Sequence, residues 1–265
     1  MNGITPYPDI NAVLDDLTRG IEEILGEKLV GLYLTGSLSY GDFNPESSDI
    51  DLVAILHTPT SAQELARLEE MHVRVGNRHP KWENRIEASY TPLELFRNVL
   101  PPLTPRPYYG EGIFYLEAQY GNEWIINNYW LYHAGIPLAG ADFKALITPI
   151  QIAEVQKASL RDLFREWEPK LRNPSWLDNP HYQSYLVVNL CRILYTVVGG
   201  MLGSKKVSAA WVKHEYPQWT SLIEFADAWH YGEELHREAE TLEFLRFVIG
   251  VIEETALYRS LEADG

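Results

Sequence analysis

Apolar and polar positions follow two different periods along this chain, and the change between them divides it into two parts. In the first 150 residues, stretches with helical spacing alternate with short apolar runs of strand length. The predicted helices lie near 8–26, 61–76 and 92–98, and the predicted strands near 29–35, 50–56 and 84–90. The proline-rich segment 99–112 predicts an irregular excursion over the surface.

From about residue 143 onward the pattern is helical throughout. The predicted helices cover 149–171, 181–202, 205–214, 217–230 and 234–260. We therefore expect an α+β fold with two domains. A mixed sheet flanked by helices forms the N-terminal domain, 1–150, and an all-α helical bundle forms the C-terminal domain, 151–265.

Two aspartates one residue apart begin the second predicted strand. Asp49 and Asp51 flank Ile50, and because side chains alternate along a strand, both carboxylates face the same way. Two residues of strand span about 6.6 Å, which mobile carboxylates can close around metal ions about 3.5–4 Å apart. The alternative is that Asp49 is a turn residue and Asp51 a surface charge. We favour a metal site, since acids in so apolar a strand need a partner cation.

A Gly-Ser turn precedes these acids and ends the first predicted strand. Gly36 and Ser37 offer free backbone N–H groups and a hydroxyl, which suit a phosphate. Ser48 offers a second hydroxyl, although it could equally be a turn residue. Together with the two aspartates, these residues predict a site for a magnesium-bound nucleotide.

A third carboxylate would complete such a site, and Glu87 is the best candidate. It lies in the third predicted strand between Ile86 and Ala88, whereas Glu83 falls in the polar approach to that strand. Glu87 could ligate a metal or act as general base on a substrate hydroxyl. The alternative is an outward position on an edge strand.

Composition narrows the range of partners. The formal net charge is −15, which argues against a nucleic-acid substrate because phosphates need a basic surface. The charge favours magnesium and cationic small molecules, or it serves solubility alone. No apolar run is long enough to span a membrane, and the N-terminus lacks the pattern of a signal peptide. With Cys191 as its single cysteine, the chain is expected to be a cytoplasmic protein, and we expect a monomer.

The order Gly36-Ser37, Asp49-Ile50-Asp51 and a later strand acid resembles the signature of the DNA polymerase β-type nucleotidyltransferases. The C-terminal half narrows the resemblance. Segments 186–195, 205–211 and 243–248 are similar to the helical domain of the aminoglycoside 3''/9 adenylyltransferases. The similarity covers nearly the whole chain and is weakest across 99–142.

The resemblance implies roles for residues in both halves. Asp49 and Asp51 match the family's magnesium-binding aspartates, and Glu87 its third acid. Ser37 and Ser48 match serines near the triphosphate. In the helical half, Lys205 matches a lysine that contacts ATP phosphates and Tyr231 a tyrosine beside the nucleotide. Without the resemblance, the sequence slightly favours a solvated pair for Lys205 and Lys206 over a contact with phosphates. The implied substrate-binding residues are Glu87, Trp124, Trp176 and Asp178.

One departure concerns the acceptor. The family has an acidic run just before its apolar helix, and here that stretch is 182–185, Tyr-Gln-Ser-Tyr, without an acid.

The expected reaction is transfer of AMP from ATP, with two Mg²⁺ ions, to a hydroxyl of an aminoglycoside-like acceptor such as streptomycin or spectinomycin. The alternatives are a nucleotidyltransferase for another small molecule or a protein, or a non-catalytic nucleotide-binding regulator.

Overall fold

A mixed sheet organises the N-terminal half. Among the described residues, 3–230 and 233–263 of this computed structural model, it has six strands in the order β5-β4-β3-β2-β1-β6. The strands are β1 (Leu29–Thr35), β2 (Ile50–Leu56), β3 (Ile86–Pro92), β4 (Arg106–Gly110), β5 (Ile113–Ala118) and β6 (Ile136–Gly140). Only the β2–β3 pair within this sheet is parallel, and the other neighbours are antiparallel. The mixed sheet confirms the expected α+β class.

The helices of this half explain the parallel pair. They are α1 (Pro8–Leu25), the one-turn α2 (Gly36–Tyr40), α3 (Ala62–Arg78) and α4 (Trp124–Ala134). Helix α3 connects β2 to β3, and parallel neighbours need a crossover of this kind. A capping box begins α3, because Ser61 Oγ accepts from the Glu64 N–H while the Glu64 carboxylate accepts from the Ser61 N–H.

One face of the sheet is covered by α1 and α3. Ile50, Leu52, Ile86 and Ala88 join this core, together with residues of the two helices. Because side chains alternate, the residues between them in sequence lie on the opposite face. That opposite face carries the candidate site.

The C-terminal half is helical, as expected. Its helices are α5 (Ile152–Asp162), α6 (Pro180–Val197), α7 (Lys205–Glu215), α8 (Thr220–Ala228), α9 (Glu238–Glu253) and α10 (Ala256–Ala263). Helix α6 packs against α5, α7, α8 and α9, and its Leu186, Leu190 and Leu194 are fully buried. By contacts between residues the chain forms two units, Met1–Ile150 and Gln151–Gly265. No helix among the described residues is both long and apolar enough to cross a bilayer.

The sequence predictions of local structure were wrong in several places. The single helix expected over 234–260 is two helices, α9 and α10. The segment 99–112 is not wholly irregular, because Arg106–Gly110 forms β4 and pairs with β3. Strands β5 and β6 and helix α4 were not predicted. The helix expected over 149–171 ends at Asp162 and continues as a π turn, Leu163–Trp167, and a 3₁₀ turn, Glu168–Arg172. Pro169 is a physical reason for that change, since it has no N–H to continue an α-helix.

Candidate active site

The register between β2 and β3 places two of the predicted acids side by side. Asp51 is directly opposite Glu87 on the parallel neighbour, just as Ile50 is opposite Ile86. Ile50 and Ile86 are fully buried in the core, so both acids lie on the opposite face of the sheet. Strand β3 has β4 on its other side and is therefore not an edge strand. Both carboxylates remain partly exposed.

Gly36 brings the end of β1 close to Asp51. Its φ is +64°, a conformation that glycine adopts without steric cost. A Cβ built on Gly36 would overlap the carboxylate of Asp51. The close approach of the backbone at position 36 to Asp51 therefore requires a residue without a side chain. The predicted Gly-Ser turn is the start of α2, and Ser37 lies in the first turn of that helix.

Asp49 lies just before β2, on a loop that is fastened to the segment before β3. Its Oδ1 is 4.0 Å from the Nε of Arg85. The Ser48 hydroxyl accepts a hydrogen bond of 3.0 Å from the Asn44 N–H, which closes the loop on itself. Ser48 therefore has a local structural role here, and its O–H stays available as a donor.

The donor set fits magnesium in kind. Asp49, Asp51 and Glu87 supply carboxylate oxygens, the ligands that Mg²⁺ prefers, and the missing side chain at Gly36 leaves room for the carboxylate of Asp51 itself. Across residues 3–230 and 233–263, no group of three or more His, Cys, Asp or Glu side chains is arranged to hold a metal.

Tyr108 is a neighbour of these acids that the sequence did not reveal. It lies on β4 opposite Ser89, which shares a sheet face with Glu87. Burial raises the pKa of the Tyr108 hydroxyl, and so do its hydrogen bond with Glu87 and the nearby charge of Asp51. Tyr108 therefore stays protonated and donates to Glu87. The Arg106 guanidinium lies over the Tyr108 ring at 5.3 Å and over the Tyr120 ring at 4.3 Å.

Trp124, expected to stack on a substrate, lies in a small core instead. Only 6% of its surface is exposed. Its ring contacts Phe96 at 5.1 Å and Tyr120 at 4.8 Å between centroids. Its indole N–H donates to the Asn98 carbonyl at 2.9 Å. A ring enclosed on this scale presents little open surface, so the structure gives Trp124 a packing role and the role in substrate stacking stays a prediction.

The candidates of the helical unit lie at the ends of its helices and turns. Lys205 is the exposed first residue of α7, after the N-cap Ser204. Asp178 is exposed at the end of a 3₁₀ turn, Pro174–Asp178. Tyr231 lies outside the described residues.

Trp176 belongs to the same 3₁₀ turn and is half-buried among other rings. Its ring is 5.7 Å from Trp167 and 5.9 Å from Tyr182, and the ammonium of Lys170 lies over it at 5.0 Å. Its indole N–H is buried without a hydrogen-bond partner among the described residues. Trp176 thus already contacts a cation of its own unit.

Two family models match this chain, one in each half. Residues 18–88 match the family model of the nucleotidyltransferase domain, and residues 146–253 match that of the aminoglycoside adenylyltransferase C-terminal domain. The chain belongs to the aminoglycoside adenylyltransferase family. It is accordingly an enzyme, a nucleotidyltransferase of the aminoglycoside adenylyltransferase type.

A solved structure supports the fold of this family member over most of its length. The structure of spectinomycin adenyltransferase AAD(9) from Enterococcus faecialis, with ATP and spectinomycin, matches with a TM-score of 0.70 and 18% sequence identity. The match covers 92% of this chain and 99% of that chain. Residues 18–88 thus lie in a nucleotidyltransferase domain and residues 146–253 in the family's C-terminal domain.

Sequence reasoning missed Arg85 and Tyr108. Arg85 is two residues before Glu87, and the same alternation that pairs Asp49 with Asp51 would have drawn attention to it. Tyr108 lies in the proline-rich segment 99–112, where local signals do not predict a strand. Its position depends on the pairing of β4 with β3, which no short-range pattern reveals.

Proposed function

We propose that this enzyme transfers AMP from magnesium-bound ATP to a hydroxyl group of an aminocyclitol or aminoglycoside, with release of pyrophosphate. The observation that carries the proposal is the arrangement of Asp51 and Glu87 on adjacent parallel strands, next to the side-chain-free Gly36. Family membership and the ATP- and spectinomycin-bound state of the similar structure support it.

The reaction replaces one phosphorus–oxygen bond by another. The acceptor oxygen attacks the α-phosphorus, the bond to the bridging oxygen breaks, and pyrophosphate leaves. Magnesium, when bound, supplies positive charge that offsets the charge developing on the phosphate oxygens. Asp49 and Asp51 would hold two such ions. Positioning dominates reactions of this type, so the rigid sheet that carries these acids matters directly.

Glu87 has two possible tasks within this scheme. It takes the proton of the acceptor hydroxyl, or it completes the metal ligands. The hydrogen bond from Tyr108 orients the Glu87 carboxylate in either case. In the helical unit, we assign Lys205 and Tyr231 to ATP, and Ser37 and Ser48 of the N-terminal unit to its phosphates.

A different acceptor is the second candidate. The segment 182–185 has no acid, and both Tyr182 and Tyr185 are exposed there. An ammonium about 4 Å from a carboxylate gains about 4 kcal/mol at an effective dielectric constant of 20, so losing one acid matters for a cationic acceptor. Aromatic rings offer cation–π contacts, worth about 0.5–2 kcal/mol, instead.

The test is pyrophosphate release from Mg-ATP with streptomycin, spectinomycin and other aminocyclitols, alongside thermal shift with the same ligands. We expect acceptor-dependent release and added stabilisation by one acceptor class through mass action. Asp49→Asn should abolish turnover and keep the fold. Stabilisation by nucleotide alone, with no release for any acceptor, would reject the acceptor assignment. Near-normal turnover by Asp49→Asn would reject the metal assignment.

A further inference from the structure

We infer that Arg85 is a positioning residue of this site, which fixes the loop carrying Ser48 and Asp49 relative to Glu87. The inference rests on the proposed function, since it assigns Asp49 to the metal nucleotide. It goes beyond that function because Arg85 has neither the position nor the chemistry of a metal ligand or a general base.

The first observation is the set of contacts that Arg85 makes with this loop, residues 44–49. Its guanidinium donates to the carbonyl of Pro45 at 2.9 Å and to the carbonyl of Ser48. Its Nε is also 4.0 Å from the carboxylate of Asp49. A planar guanidinium can reach three acceptors at once because its five N–H donors point in fixed directions. One side chain thus contacts the loop at both ends.

The second observation is that the loop is a preformed unit. The Ser48 N–H donates to the Asn44 carbonyl at 2.8 Å, and the Asn44 N–H donates to Ser48 Oγ at 3.0 Å. The Glu46 N–H donates to the side chain of Asn44 at 3.0 Å. A loop with its own internal hydrogen bonds moves as one body, so the contacts of Arg85 set the position of Asp49.

The third observation is that Arg85 is itself held in place. Its guanidinium lies over the Trp82 ring at 4.6 Å, and Trp82 is 2% exposed. The Trp82 indole N–H donates to Asp9 at 3.2 Å, and its ring contacts Phe43, the residue before the loop, at 6.2 Å between centroids. Trp82 thus supports both the arginine and the start of the loop.

The position of Arg85 in the chain links the two halves of the site. It ends a 3₁₀ turn, Glu83–Arg85, and Glu87 follows in β3 two residues later. A displacement of this segment would move Glu87 and the loop together. The charge of Arg85 also offsets the concentration of negative charge around Asp49. At 4.0 Å its pairing with Asp49 is longer than a hydrogen bond, so the two contacts with backbone carbonyls are the ones by which Arg85 holds the loop.

The experiment compares Arg85→Lys and Arg85→Met with Arg78→Met as a matched control. Arg78 also pairs with an acid, Asp16 at 2.7 Å, but it lies on α3, on the covered face of the sheet. We expect Arg85→Met to lower kcat by about 100-fold, which is the usual effect of displacing a catalytic group by about 1 Å. The KM for the acceptor should change little. Arg85→Lys keeps the charge without the planar fork and should recover only part of the rate.

Two further readouts separate positioning from stability and from the proposed function. Amide hydrogen exchange of residues 44–49 should speed up in both Arg85 variants and stay unchanged in Arg78→Met. The magnesium concentration that gives half-maximal rate should rise in Arg85→Met. Unchanged exchange by itself would overturn the inference, and so would full recovery of the rate by Arg85→Lys.

If the proposed function is wrong, the measurements should differ from those that would overturn the inference on Arg85. In that case the wild-type enzyme would release no pyrophosphate with any acceptor, whereas the exchange measurement would still report whether Arg85 holds the loop. Faster exchange in the Arg85 variants supports the inference even then. Unchanged exchange contradicts it whatever the activity.

Discussion

The two units of this enzyme hold their candidate residues in different ways. In the N-terminal unit, strand register fixes Asp51 opposite Glu87, and Gly36 closes against Asp51. In the helical unit, Asp178 and Lys205 are exposed at the end of a turn and the start of a helix. A backbone ladder fixes the positions of the first group relative to one another, whereas the residues of the second group are carried by separate elements. We therefore expect changes in the sheet to affect the chemical step and changes in the helices to affect binding.

The largest expected contrast is between the two acids Glu87 and Asp178. Glu87→Gln should lower kcat by about 1,000-fold, within the range for loss of a general base or a metal ligand. Asp178→Asn should alter mainly the KM for the acceptor, by about tenfold or less. Steady-state kinetics of pyrophosphate release measure both. A kcat effect of Asp178→Asn as large as that of Glu87→Gln would break the comparison.

The next contrast lies within the N-terminal unit, between two glycines with positive φ. Gly36 has φ +64° and Gly41 has φ +80°, but a Cβ on Gly36 meets Asp51 whereas one on Gly41 meets nothing within 4 Å. Both alanine variants should lose about 1–2 kcal/mol of stability from backbone strain. Only Gly36→Ala should also lose about 100-fold in kcat, because it displaces the carboxylate of Asp51, which we propose as a metal ligand. Unfolding curves and kcat together test this, and equal kcat values for the two variants would refute it.

A smaller effect is expected from the lysine pair at the start of α7. Lys205→Met should raise the KM for ATP by about tenfold, which corresponds to loss of one phosphate contact. Lys206→Met is the matched control, since its side chain is equally exposed and one residue away. Nucleotide binding by calorimetry checks the result. Equal losses in the two variants would favour the alternative of a solvated lysine pair.

The smallest effect on turnover is expected from a change in the N-terminal core, which should alter stability instead. The His72 side chain is buried, with its Nε2 at 2.7 Å from the Tyr90 hydroxyl and its ring stacked on Tyr109. Burial lowers the pKa of His72 to about 3. Below an unfolded pKa of about 6.5, the unfolded chain takes up a proton that the folded protein refuses. The free energy of unfolding should therefore fall by about 1.4 kcal/mol per pH unit from about pH 6.5 toward pH 3.

His72→Gln should remove this part of the pH dependence, and His57→Gln, in an exposed loop, should leave it intact. Urea unfolding at several pH values between 5 and 8 measures the slopes. An unchanged slope in His72→Gln would show that another group is responsible for the acid sensitivity.

The fold was predictable where a local pattern was strong. Strands 29–35 and 50–56 and the start of α3 at Ser61 follow from apolar runs and a capping sequence. Strand β4 was not predictable, because its short Arg-Pro-Tyr-Tyr-Gly sequence is stabilised by pairing with β3. Trp124 shows the same limit, since an aromatic residue in sequence can equally be a stacking surface or part of a core.

The sequence by itself determined the α+β class, the family and the three acids, because spacing along one strand and the Gly-Ser turn are local properties. Only the tertiary structure decided which residues surround those acids. Arg85 and Tyr108 come from segments distant in sequence from Asp49 and Asp51, and strand pairing brings them near. The physical reason is that the face of a strand on which a side chain lies follows from its position along that strand. The residues that it contacts depend on the register between strands, which no local pattern specifies.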